Sequence, residues 1–222
     1  MATVFNGYEQ KQAAVQGDTV SAIVKGGNIV FQYLPAEVKL TNKVANGSFE
    51  TNTTAWSVST GAISRITVPT PVHGEYGSWA GRMDAKLNGV FYIQVSTAIS
   101  VVSGRKYYIR NQQRFTYAGF NNVARYMNNG TAFSPAITNT IPTVNTWNIL
   151  DGVWTANSAT LQLRIEWSGG NGNQQRGNDF DNIMVIDLTD AFGAGAEPSA
   201  ATMRSIVTKN GGYWDGGKIV TI

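Results

Sequence analysis

Asn46-Gly47-Ser48-Phe49-Glu50, followed by Trp56, and Asp179-Phe180-Asp181-Asn182-Ile183 are two short stretches, far apart in the chain, that bracket one domain. Each has a local job. Asn46-Gly47 is turn chemistry, because both residues tolerate positive φ, and Phe49 then starts a buried strand face. Glu50 and Asp181 are carboxylates beside hydrophobic strand residues, where an unpaired charge is costly to bury. Either something cationic sits close to them or both accept backbone hydrogen bonds at strand ends.

Between these stretches the chain reads as successive strands joined by polar turns. The clear runs are 62–68, 79–85, 89–95, 105–115, 123–127, 146–155, 160–167 and 180–188. Leu161-Gln162-Leu163-Arg164-Ile165-Glu166-Trp167 alternates strictly, apolar at odd positions and polar at even ones, as a half-buried strand does. Eight such runs with no convincing helical period predict a two-sheet antiparallel sandwich.

The motifs carry a resemblance. N-G-x-F-E near the start and a late D-N-hydrophobic string resemble the opening and closing strands of jelly-roll carbohydrate-binding modules of the family 4/9/22 type. Trp147 to Thr155 matches the W-x-x-x-x-G-x-[WF]-T segment of those modules, and Leu161 to Ile165 their L-x-L-x-I strand. The resemblance covers about two-thirds of the chain, the span of the β-sandwich signals. It implies a jelly roll that binds glycan rather than cutting it. It also implies a structural calcium ion held through Glu50 and Asp181, although two carboxylates fall short of the ~6–8 oxygens that calcium takes.

A second string, Ile186-Asp187-Leu188-Thr189-Asp190-Ala191-Phe192-Gly193-Ala194-Gly195-Ala196-Glu197-Pro198, resembles the D-L-T-x-x-F-G-x-G-x-E-P segment of tail, baseplate and other structural proteins of bacteriophages and prophages. A short helix over 199–207 follows, with Ser199 as N-cap and Met203, Ile206 and Val207 as a small apolar face, and then the turn Tyr213-Trp214-Asp215-Gly216. The segment reads either as an assembly element or as a plain C-terminal latch. At the other end, the runs 19–25 and 28–34 joined through Gly26-Gly27 predict a β-hairpin. A two-stranded hairpin is marginal alone, so it packs on another protein, on a copy of itself or on its own sandwich. The predicted fold is all-β: an antiparallel β-sandwich (jelly roll) over residues 41–188, an N-terminal β-hairpin extension over 1–40, and a C-terminal segment with a short helix over 189–222.

Composition narrows the partners. Only 14% of residues are charged, the net charge is +3, and no Lys/Arg run is present to track a phosphate backbone, so nucleic acid is not the expected partner. The absence of cysteine removes disulfides, thiolate metal sites and thiol catalysis. No stretch of ~18 apolar residues and no basic-then-apolar leader pattern are seen, so the expectation is a protein made in a host cytoplasm, without membrane insertion or a signal peptide. His73 is the only histidine, and Ser-His-Asp, zinc and phosphate-loop constellations are all missing, so no catalytic residues are expected.

Sugars are met by aromatic faces and by amide, carboxylate and guanidinium groups. With 6 Trp, 9 Tyr and 9 Phe, most aromatics belong to a sandwich core. Trp79 and Tyr126 stand in polar, glycine- or arginine-containing contexts that favour a ligand. Strand alternation puts Tyr108, Arg110, Gln112 and Arg114 on one face of their run, and Gln162, Arg164 and Glu166 on one face of theirs. A sheet face combining Tyr108, Arg110, Gln112, Arg164 and Glu166 would make a polar groove for glycan, or a solvated face with cross-strand ion pairs. The expected function is therefore a virion-associated, non-catalytic carbohydrate-binding protein that adheres the particle to host-surface or wall polysaccharide. Its expected partners are that glycan, other virion structural proteins and further copies of itself. A purely structural decoration or baseplate protein, and an accessory module of a wall-degrading enzyme, are the alternatives.

Overall fold

The computed structural model describes residues 4–5, 8–15, 18–25, 28–32, 38–59, 62–68, 77–85, 89–116, 120–128, 133–139, 145–169 and 176–222, with side chains for 38–59, 62–68, 77–84, 91–116, 145–166 and 177–222. The Gly26-Gly27 turn and His73 lie outside the described residues, and of Tyr126 only the backbone is described. The chain divides into two compact units, Met1–Leu40 with Thr221–Ile222, and Thr41–Val220.

In the first unit, β1 (Val4–Phe5), β2 (Tyr8–Val15), β3 (Asp18–Lys25) and β4 (Asn28–Gln32) form one antiparallel sheet in chain order. The predicted hairpin is the β3–β4 pair, with Ile23 opposite Phe31. Two further strands precede it. Glu9-Gln10-Lys11-Gln12 in β2 lacks the apolar alternation that announces a strand, and its pairing with β3, Ala13 opposite Val20, is what makes it one. Four strands also relieve the marginal stability of an isolated hairpin.

The second unit is the predicted sandwich. The short β5 (Lys39–Thr41) leads into it, and its strands are β6 (Trp56–Val58), β7 (Ile63–Thr67), β8 (Trp79–Ala85), β9 (Gly89–Val95), β10 (Ile99–Ser100), β11 (Lys106–Phe115), β12 (Phe120–Asn128), β13 (Phe133–Asn139), β14 (Asn148–Thr155), β15 (Thr160–Leu161), β16 (Arg164–Gly169) and β17 (Arg176–Asp187). One five-stranded sheet has the order β14-β11-β17-β8-β7, and the other β13-β12-β16-β9-β6. The run expected over 160–167 is divided: β15 turns aside to pair with β10, and β16 enters the second sheet. Its alternation is as read, with Leu161, Leu163 and Ile165 all fully buried. Between the sheets lie Tyr107, Ile109, Phe115, Met83, Phe180, Ile183 and Val185 from the first, and Trp56, Phe91, Ile93, Val95 and Ile165 from the second.

The two bracketing stretches meet. The Ile183 N–H donates to the Gly47 carbonyl at 3.0 Å, and a Cβ on Gly47 would stand 2.2 Å from the Ile183 oxygen. Asn46, Phe49 and Asn182 all take positive φ (50°, 58° and 50°): the first stretch is a tight turn, where a strand starting at Phe49 was expected, and the second is the part of β17 that packs against it. Asn182-Ile183 also forms a bulge opposite Asn111, where the β11–β17 register shifts between Arg110 and Gln112. Phe49 is fully buried, lies 5.6 Å from the Trp56 ring, and presses on Gly81, where a Cβ would meet the ring at 2.7 Å. Trp56 in turn donates its indole N–H to the Asn46 carbonyl.

The C-terminal string is an internal clamp. Asp187 caps the single-turn helix α1 (Leu188–Phe192) by accepting from the Asp190 N–H, and Ser199 caps α2 (Ala200–Lys209) as expected by accepting from the Thr202 N–H. Glu197 accepts from the Thr189 hydroxyl, the Lys106 ammonium and the Gly195 N–H, while the Thr189 hydroxyl receives the Lys106 backbone N–H. The string thus ties the segment to the start of β11. Asn42 ties its far end: its side chain donates to the Trp214 carbonyl and accepts from the Val44 and Val185 N–H groups. The chain then runs into the short β18 (Ile219–Thr221).

Burial alone pushes the Glu197 carboxyl up, but the donors converging on it outweigh burial and hold it below the ordinary carboxylate value. A depressed acid stabilises the fold above its unfolded value and loses that contribution as pH falls through its folded value. Amide-exchange protection at Gly195 should therefore fall as pH drops below about 4, and Glu197→Gln should show reduced protection already at neutral pH. Equal protection in the variant would remove Glu197 from the clamp.

Candidate functional site

Strand alternation fixes two faces that point away from the core, one on each sheet. On the first sheet, the positions between Tyr107, Ile109 and Phe115 are Tyr108, Arg110, Gln112 and Arg114. Their placement differs from the open groove expected of them: Tyr108, Arg110 and Gln112 are all fully buried. The C-terminal segment covers the Tyr108 end of this face. Helix α2 lies against β14 with Met203 and Val207 buried, and Arg204 reaches Asp151 of β14, with its Nε 2.7 Å from Oδ2. The Tyr108 hydroxyl donates to the same carboxylate at 2.8 Å. Burial, and then the Asp151 charge, push the Tyr108 phenol far above its ordinary value, so it stays a neutral donor.

Farther along the same face, one carboxylate is clamped by two arginines. Asp179 of β17, fully buried, accepts from Arg82 of β8 at 2.6 and 3.0 Å and from Arg114 of β11 at 2.9 and 2.7 Å. Arg114 also packs 4.9 Å over the Trp147 ring. Three adjacent strands are joined by this row.

The second sheet carries the other face. Between Phe91, Ile93 and Val95 stand Tyr92 and Gln94 of β9, and on either side of Ile165 stand Arg164 and Glu166 of β16. Arg164 lies opposite Gln94, and Glu166 opposite Tyr92. The Arg164 guanidinium stacks on the Tyr92 ring at 3.6 Å, its Nε donates to Gln94 Oε1 at 3.2 Å, and its Nη1 is 3.5 Å from Glu166 Oε2. All four side chains are partly exposed. On the other flank of β16 the backbone of Tyr126 is paired with Arg164.

The residues expected to share one groove are thus divided. Arg164, Glu166 and, by register, Tyr126 belong to the second sheet, while Tyr108, Arg110 and Gln112 are buried on the first. Trp79 joins neither set. It begins β8 next to the edge strand β7, where Arg65 stacks 4.1 Å over its ring. Tyr92 and Gln94 were missed as site residues, although the alternation in Gly89-Val90-Phe91-Tyr92-Ile93-Gln94-Val95 carries the signal that singles out Arg164 and Glu166. A planar guanidinium held by an aromatic face, an amide and a carboxylate offers donors and acceptors in fixed directions, the kind of polar convergence that orients a hydroxylated ligand. A cleft of about 600 Å³ lies elsewhere, lined by residues 41–45, 54–55, 95–100 and 216–217, and has no aromatic side chain in its walls.

The two carboxylates expected to hold calcium are engaged by backbone donors, the other reading the sequence allowed. Glu50 Oε1 already accepts the Ser78 and Trp79 N–H groups at 2.9 and 2.8 Å, and Asp181 Oδ1 accepts the Asn182 N–H at 2.7 Å. Among the described residues no group of three or more His, Cys, Asp or Glu converges. Gly77 makes the Glu50 contact feasible, because a Cβ there would stand 2.2 Å from Oε1.

No protein-family model matches this chain, and no curated protein matches it in sequence. Solved structures do match it in fold. The carbohydrate-binding module TmCBM61, in complex with beta-1,4-galactotriose, aligns with a TM-score of 0.50 at 14% identity, over 66% of this chain and 98% of the module. A xylan-binding domain from family CBM 22 aligns at 12% identity over 69% of this chain and 97% of its own, with a TM-score of 0.48. The enzymatically active domain of bacteriophage CBA120 tailspike protein 4 aligns at 16% identity over 65% of this chain, with a TM-score of 0.49, and the match spans 21% of that domain. At these identities the likeness is one of fold: the second unit is an all-β sandwich built like the jelly roll of carbohydrate-binding modules. Among the described residues no helix is long and apolar enough to cross a membrane.

Proposed function

We propose that this protein is a non-catalytic carbohydrate-binding component of a phage particle, which attaches the particle to host cell-surface or wall polysaccharide. The observation that carries the glycan part is the Tyr92–Gln94–Arg164–Glu166 cluster, partly exposed on the second sheet of a carbohydrate-binding-module fold. The phage part rests on the 186–198 string. Such a face binds one glycan chain weakly, and many copies on one particle would convert weak contacts into avidity. The first unit is proposed to dock the protein among other virion proteins or copies of itself, in a virion assembled within the host cytoplasm.

The test is binding of the full-length protein to a panel of cell-wall and capsular polysaccharides. Saturable binding is expected, weakened at least about tenfold, or ~1.4 kcal/mol, by Arg164→Ala and by Tyr92→Ala in variants that keep the wild-type circular dichroism. A folded wild type silent across the panel would favour the structural reading, a sandwich used as a spacer in a decoration or baseplate protein. Burial of Tyr108 and Arg110 within the chain is the observation that keeps that second reading in play.

A further inference from the structure

The opening turn presents carbonyl oxygens to a cationic side chain of the same protein. Phe49 sits at φ 58°, and this left-handed residue turns two consecutive carbonyls, those of Phe49 and Glu50, toward one guanidinium. Arg65 of β7 donates its Nε to the Phe49 oxygen at 2.7 Å and its Nη2 to the Glu50 oxygen. Its plane lies 4.1 Å over the Trp79 ring, and the Trp79 N–H is one of the two donors to the Glu50 carboxylate. One side chain thus meets both carbonyls of the turn and packs on the segment that holds its carboxylate.

We propose that Arg65 is the built-in counter-cation of this turn, occupying the role that a bound divalent ion would otherwise fill, so that the sandwich folds and holds without calcium. Oxygens that a calcium ion could draw on here are already engaged: two carbonyls by Arg65, Glu50 Oε1 by two backbone N–H groups, and Asp181 Oδ1 by the Asn182 N–H. An ion needing ~6–8 oxygens would have to displace a permanently charged, stacked and doubly bonded guanidinium to bind. The planar fork of arginine suits two adjacent carbonyls, whereas the single ammonium of lysine does not. This inference is independent of which ligand the second sheet binds.

The experiment is thermal unfolding of the full-length protein in millimolar calcium and in EGTA, with calorimetric titration of calcium into the chelator-treated protein. The expected result is the same Tm in both conditions and no heat of binding. Arg65→Met should lower Tm by roughly 4–10 °C, and Arg65→Lys should restore only part of that loss. A wild-type Tm that rises with calcium, saturable calcium binding, or an Arg65→Met variant that melts with the wild type would each overturn the proposal. The wild-type measurements decide the matter even if the methionine variant fails to fold.

Discussion

Gly47→Ala is expected to be among the most damaging single substitutions in the sandwich, with a loss of about 3 kcal/mol or more in unfolding free energy. Its Cβ would sit 2.2 Å from the Ile183 carbonyl oxygen, a backbone atom that has no rotamer to escape by. Relief requires parting two chain segments joined by the Ile183–Gly47 hydrogen bond, and with them the Asn182 bulge and the Phe49–Trp56 packing behind it. Gly104 makes the comparison. It has φ +85°, but nothing lies within 4 Å of a Cβ there, so Gly104→Ala meets only the backbone preference, about 1 kcal/mol. Urea unfolding of the two variants measures the difference. Similar midpoints for both would show that the turn moves freely away from β17.

Asp179→Asn is the second large effect. The change keeps side-chain size and removes the charge to which both Arg82 and Arg114 bond across β17. Breaking a buried ion pair by removing one partner costs ~3–5 kcal/mol, but both arginines keep about a quarter of their side chains in water (28% and 24%), which relieves part of it. A loss of about 2–3 kcal/mol is therefore expected, measured by denaturant unfolding. The variant also separates the two faces: if glycan binds at the Arg164 cluster, Asp179→Asn should leave the affinity of the folded protein unchanged. Lost binding in a folded Asp179→Asn protein would move the site to the first sheet.

Much of the fold is legible in the chain because strand signals are local. The alternation of Leu161 to Ile165 marks the inward side of its run, Ser199 marks a helix start, and the turn residue Asn46 marks the positive-φ site that it occupies. Three sandwich strands were overlooked: Trp56–Val58 and Ile99–Ser100 are too short to show a period, and Phe133–Asn139 contains Pro135, which weakens a strand reading.

The candidate site was legible only by halves. Period two tells which residues of a strand share a face, and so grouped Arg164 with Glu166 and Tyr108 with Arg110; it says nothing of which sheet the strand joins or what lies over that sheet. That Arg164 meets Tyr92 follows from β16 pairing with β9, and that Tyr108 is buried follows from Arg204 reaching Asp151 on a distant strand. By itself, then, the sequence determined the longer sandwich strands, the inward side of Leu161 to Ile165, the Ser199 cap and the class of fold, because these depend on neighbours a few residues away. Only the tertiary structure decided which polar face stays open, which is sealed by the C-terminal helix, and which cation answers the opening turn, because each is a contact between residues that approach only after the sheets have formed.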